Sequence, residues 1–183
     1  MNPPACYPGT KVPVSKVGLL TGIYTATNGI TLSQVCEITG LEASTVQNWI
    51  KRGYVNPPSG RKYSKSQVAR IILINMLREA MIIEKAAKLL SYVNGNLLDR
   101  SDDIMDDSDI YQCLCDILIP PDTNENADIG IEELFKQIEK RLEHFTEPYP
   151  GAKARLELAL KAMTCAYESA RFKRYANQLA ENT

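Results

Sequence analysis

The chain has 183 residues, 44% of them apolar and 23% charged, a net charge of −1, one histidine and five cysteines. That is an ordinary composition for a soluble globular protein with a core, and an odd number of cysteines without secreted-scaffold spacing speaks against a disulfide framework. The near-zero net charge hides an asymmetry: from Thr31 to Arg78 the cations Lys51, Arg52, Arg61, Lys62, Lys65, Arg70 and Arg78 face only Glu37 and Glu42, whereas Ser101 to Glu147 carries fourteen acids against Lys136, Lys140 and Arg141. A basic segment that meets a polyanion, joined to an acidic segment held away from it, is the expectation.

Residues 1–30 are rich in proline, glycine and threonine, with a candidate amphipathic turn in "VSKVGLL", and read as a lead-in that packs on the helices after it. The prolines of "MNPPACYPGTKVPVSK" stand where a signal peptide would have its apolar region, and no apolar run approaches the roughly 20 residues of a membrane span. A cytoplasmic protein without a membrane partner is expected, its cysteines Cys6, Cys36, Cys113, Cys115 and Cys165 reduced.

From Leu32, the residues Val35, Cys36 and Thr39 recur at helical spacing and stop at Gly40. A second helix comes next, with Val46, Trp49 and Ile50 on one face and Ser44, Gln47, Asn48 and Lys51 on the other; Gly53 closes it. Pro57, Pro58 and Gly60 make "YVNPPSGRKYS" a loop or tight ribbon, and Ser64 with Gln67 forms a capping box for the next helix, marked by Val68, Ile71, Ile72, Asn75 and Met76. A further helix near Ile83 to Tyr92 runs to the stop at Asn94 and Gly95.

The acidic block 99–109 suits solvent better than a core and predicts a linker between domains 31–98 and 99–183. Beyond it, Ile110, Leu114, Ile117 and Leu118 form one helical stripe closed by Pro120 and Pro121; Ile131, Leu134, Phe135, Ile138, Leu142 and Phe145 form another. A last helix is expected from about Ala152 to Leu179, with Leu156, Leu160, Met163, Tyr167 and Ala170 on one stripe. That stripe, or the helix beginning at Ile110, is the expected seam of a homodimer.

Two short helices joined by a glycine turn have the pattern of a helix-turn-helix, in which Val35, Leu41, Val46 and Trp49 wedge the helices together and the second helix enters the major groove. The outward residues Ser44, Gln47, Asn48 and Lys51 then offer two amides for adenine, a hydroxyl, and a cation for guanine or phosphate, while Arg61 and Lys62 at the tip of a proline-stiffened turn suit the phosphate backbone. The same hairpin can serve as a protein-protein interaction module without DNA, which is the competing reading.

"VCEITGLEASTVQNWIKRGYVNPPSGRKYSKSQVARIILINMLREAMIIEKAAKLL" resembles the MerR-type winged domain, with Thr45, Trp49, Gly53, Pro57, Arg61 and Tyr63 in the family's places. "VQNWIKRGYVNPP" followed by "RKYSKSQVARIILINMLREA" is similar to a bacterial family of uncharacterised MerR-like proteins, a domain of unknown function. The resemblance covers about Thr31 to Tyr92, a third of the chain. It implies an all-α protein with a winged helix-turn-helix N-terminal domain and a C-terminal helical domain for dimerisation or sensing a small-molecule or protein effector. It also implies a transcriptional regulator of double-stranded DNA, with a recognition helix at about 43–52 and a wing at about 57–63; the implied contact set is Ser44, Thr45, Gln47, Asn48, Lys51, Arg52, Arg61, Lys62 and Tyr63. The chain departs from MerR proteins at Gln47, where arginine is usual, and at Asn48, where tyrosine or histidine is usual. MerR dimers also use a long helix directly after the winged domain, whereas here the acidic block interrupts.

Other chemistry is not indicated, and no enzyme, metal or cofactor is expected. Cys113 and Cys115 lie at i and i+2, about 200° apart on a helix, without a completing zinc set, and read as buried thiols. His144 is the only histidine. The aspartates Asp102, Asp103, Asp106, Asp107 and Asp109 lack the glycine and glutamate of an EF-hand loop and read as a solvated loop, with Ser108 or Asp109 capping the next helix.

Overall fold

The structure is a computed structural model that describes residues 6–14, 22, 29–95, 97, 99, 101–119 and 129–181. The stretch "VSKVGLL" lies almost wholly outside these, as does the stop at Pro120 and Pro121. Among the described residues the chain is mostly helical with one small sheet: β1 (Ile30–Thr31), α1 (Leu32–Thr39), α2 (Ala43–Lys51), β2 (Lys62–Tyr63), α3 (Lys65–Leu77), α4 (Ile83–Asn94), α5 (Asp107–Leu118), α6 (Ile131–Arg141) and α7 (Ala152–Glu181). The strands pair antiparallel, Ile30 with Tyr63 and Thr31 with Lys62.

The middle of the molecule is α3. Every residue from Val68 to Leu77 is buried, Arg70 and Asn75 included, because the sequence "VARIILINML" is apolar all round the helix and other elements must cover it on each side. It packs against α1, α4, α5 and α7. The lead-in closes one side: Asn75 Nδ2 donates to Gly9 O at 2.9 Å and Thr39 O at 3.1 Å, and Tyr111 Oη on α5 donates to Pro8 O at 2.9 Å. The expected packing of the lead-in is therefore present over residues 6–14.

The expected boundary at 99–109 is corrected. A single apolar cluster runs from Tyr7 through the helices on both sides of it to Ala166, and the packing of α3 on α5 crosses the line at 98/99. Ile104 is buried, and α5 begins at Asp107 instead of near Ile110, with Asp106 as its N-cap accepting from Ser108 N at 2.8 Å. The acidic run is thus half solvent-facing and half docked, because Asp107 is drawn inward as the partner of the buried Arg70.

The expected dimer seams are corrected as well. Leu156, Leu160, Met163 and Ala170 on α7 are buried within the chain, as are Ile110, Leu114 and Ile117 on α5; α7 lies against α3, α4, α5 and α6, and these side chains fill that contact. Neither stripe is open to a partner. Another face of α7 is, and it carries the exposed Leu158, Phe172, Tyr175 and Leu179.

Candidate functional site

The pair α1 and α2 is fixed at each joint by a local device. Thr31 and Gln34 form a reciprocal cap, Thr31 N donating to Gln34 Oε1 at 2.9 Å and Gln34 N to Thr31 Oγ1 at 3.4 Å. Gly40 ends α1 at φ 71°, its N–H on Cys36 O, a left-handed conformation that glycine adopts without a Cβ penalty; the end of the Lys11 side chain fills the space beside it. Thr39 Oγ1 donates to Val35 O at 2.7 Å and accepts from Leu41 N at 3.3 Å, which carries the turn into α2. Val35, Leu41, Val46 and Trp49 are all buried, so the wedge expected from the sequence is in place, and the Arg78 guanidinium lies 5.7 Å from the Trp49 ring centroid.

That phase leaves Ser44, Gln47, Asn48 and Lys51 exposed on α2, with Thr45 half-buried. After α2, the chain turns at Gly53, φ 73°, buries Val55, and is tied down where Gln67 Nε2 donates to Asn56 O at 3.1 Å and Pro57 O at 2.7 Å. The 59–62 turn, closed by a Ser59–Lys62 bridge over Gly60 at φ 66°, leaves Arg61 and Lys62 exposed. Through the β1–β2 pairing, Lys62 stands opposite Thr31, the cap of α1.

Besides the half-buried Thr45, two members of the expected contact set do not belong to this outward group. Tyr63 is 3% exposed: β2 alternates, and with Lys62 outward Tyr63 must point into the core, where burial pushes its phenol pKa up. Arg52 is exposed but engaged. Its Nη2 lies 2.6 Å from Glu84 Oε1 on α4, and its guanidinium sits 4.8 Å from the Tyr54 ring centroid. The hydrogen bond to Glu84 raises the Arg52 pKa, and Glu84 is held low by a backbone N–H and by Arg52.

The wider positive excess shrinks similarly. Arg70 is 3% exposed and sits inside, Nη1 3.1 Å from Asp107 Oδ2 and Nε 2.7 Å from Tyr54 O; Asn94 Nδ2 donates to Asp107 Oδ1 at 3.0 Å. Burial outweighs the attraction of Arg70, so the Asp107 carboxyl titrates above its usual range. Sequence reasoning counts Arg70 among the surface cations and Asp107 among the solvated acids. The missed signal is an arginine in an otherwise apolar helix, which needs an internal acid. Lys51, Arg61 and Lys62 remain exposed, with no ion pair among the described residues.

The other candidates are quickly placed. Cys113 and Cys115 are both buried, since α5 is covered on most of its surface, and burial raises both thiols, Cys115 to about 12. His144 is exposed. Among the described residues no three acids, cysteines or histidines gather as a metal site would require, and no helix is long and apolar enough to cross a membrane.

Residues 23–114 match the model of a family described as a domain of unknown function, DUF1836. The match spans half of the chain and contains α1 to α4, most of α5, and both ends of the Arg70–Asp107 pair. The chain is 28% identical over 122 residues to the uncharacterized protein YkrK of Bacillus subtilis (strain 168); the alignment covers 63% of this chain and 52% of the relative, so the chain spans about half the length of the curated relative it matches. No solved structure matches. With the family model covering α1, its glycine turn, α2 and the central α3, the chain belongs to the DUF1836 family, a domain of unknown function.

Proposed function

We propose that the chain binds double-stranded DNA and acts as a transcriptional regulator, with α1–Gly40–α2 as a MerR-like helix-turn-helix and the 57–63 loop as its wing. The observation that carries the reading is the outward set on α2: Ser44, Gln47, Asn48 and Lys51 are exposed along one helix whose other face is anchored by Val46 and Trp49. Those side chains are a short donor, two amides that pair bidentately with adenine, and a cation. Arg61 and Lys62 supply phosphate contacts from the loop. Arg52 and Tyr63 are left out of this set, the one because Glu84 holds it and the other because it is buried.

The experiment is binding to a pool of random duplexes, with affinity followed against salt. Each phosphate contact adds about 0.9 to the slope of log K on log salt. Lys51→Ala, Arg61→Ala and Lys62→Ala together are expected to flatten the slope by about 2 to 3 while the melting temperature stays put, the three side chains being exposed. No binding at low salt, or binding indifferent to all three substitutions, would overturn the reading.

A second reading, a module that binds protein instead of DNA, has one observation in its favour. An open groove between Trp49 and the α3–α4 turn is lined by Arg52, Arg78, Met81 and Ile82, and Ile82 is 63% exposed. Binding through this groove would be indifferent to substitution of Lys51, Arg61 and Lys62, which lie outside its lining.

A further inference from the structure

We propose that a second copy of this chain packs antiparallel along the outer face of α7, a pairing that stands whether or not the protein binds DNA. Helix α7 runs for 30 residues, about 45 Å at 1.5 Å per residue. Its inner stripe is used up inside the chain. On the outer side, Leu158, Cys165, Phe172 and Leu179 recur every seven residues, all exposed, with Leu158 60%, Phe172 59% and Leu179 53% open to solvent. Beside this row runs a second, also of period seven: Ala162, Ser169 and Ala176, preceded by Arg155. A large row next to a small row, at heptad spacing, is the surface of a helix that pairs with another helix.

The occupant follows from self-complementarity. In a two-fold antiparallel pair, the numbers of facing positions have a constant sum, and a sum of about 334 sets the large row of each copy on the small row of the other. Phe172 then lies on Ala162, Leu158 on Ala176 and Cys165 on Ser169. Leu179 reaches Arg155, whose guanidinium is stacked 4.8 Å from the ring centroid of Tyr92, itself 40% exposed.

Residues 172–181 are exposed throughout. Three turns of helix with so little cover are marginal in water, and the reciprocal contact gives each copy's end the other's body to lie on. The area closed is on the order of 1,000 Å², at the lower end of what a specific dimer needs. Parallel pairing would instead set Phe172 on Phe172 and leave both small rows unfilled.

Light scattering of the full chain at micromolar concentrations is expected to give twice the monomer mass of 20.4 kDa. Phe172→Glu should return a folded monomer that loses helicity only in the turns after it, since the side chain is 59% exposed and lies outside the apolar core of the chain. Ser169→Cys, mildly oxidised, is expected to yield a covalent dimer whose peptide map joins Cys165 of one copy to position 169 of the other. A monomer at all concentrations, a dimer indifferent to Phe172→Glu, or a linkage joining Cys165 to its own counterpart would each overturn the proposal.

Discussion

Two arginines link the α2–α3 segment to acids on later helices, and they do it under opposite conditions. Arg70 meets Asp107 with side chains 3% and 8% exposed, whereas Arg52 meets Glu84 with 43% and 51% exposed. The buried pair is costly to desolvate, and its geometry is satisfied almost completely: Tyr54 O and Asn94 Nδ2 take up the guanidinium Nε and the second carboxylate oxygen. The exposed pair keeps its hydration and exchanges readily with other charges. One arginine therefore determines how the first half of the molecule sits on the second, and the other is held in reserve at the edge of the α2 surface.

The largest effect should come from splitting the buried pair. Asp107→Ala leaves Arg70 charged, buried and without its acid, and a loss of about 3–5 kcal/mol in denaturant unfolding is expected. Replacing both partners, Arg70→Met with Asp107→Leu, should recover most or all of that loss, because neither desolvation cost remains. A double variant as unstable as the single one would mean that the pair contributes net stability, and the contrast with Arg52–Glu84 would need another basis.

A smaller effect separates the pairs by pH. Burial raises the Asp107 carboxyl in the folded state, so the folded form holds that proton more tightly than the unfolded form does. The resulting stability is fully present below the ordinary carboxylate pKa of about 3.9 and is lost as pH rises through the folded value. Asp107→Asn abolishes this titration. Its stability relative to the unsubstituted chain should therefore improve from pH 4 to pH 7, as measured by parallel unfolding curves; a relative decline would show Arg70 winning over burial.

The contrast also explains what could be read without a structure. The capping box at Ser64, the Gly40 turn, the stop at Asn94–Gly95 and the phase of Val46 and Trp49 are local devices, each set by a few adjacent residues, and they were legible. The boundary was not, because a run of aspartates looks solvated unless the partner for one of them is known, and Arg70 is 37 residues away from Asp107. Which stripe of α7 is free was hidden for the same reason: Leu156 and Leu158 are equally apolar, and only the docking of α4 and α6 decides between them. The inward turn of Tyr63 is not legible either, because a two-residue strand carries too little alternation to show its phase.

The smallest expected effect concerns the exposed pair and its bearing on DNA. Glu84 occupies Arg52 at the C-terminal end of α2, the same helix whose exposed residues form the proposed reading surface. If that surface faces phosphate, Glu84 competes with it for the guanidinium. Glu84→Ala should then tighten duplex binding and steepen the slope of log K on log salt by about one unit, the signature of one added phosphate contact. Adding Arg52→Ala should remove that increment, while thermal stability barely changes in either variant. A slope untouched by Glu84→Ala would place Arg52 outside the phosphate path and confine the proposed DNA surface to α2's outward row and the Arg61–Lys62 turn.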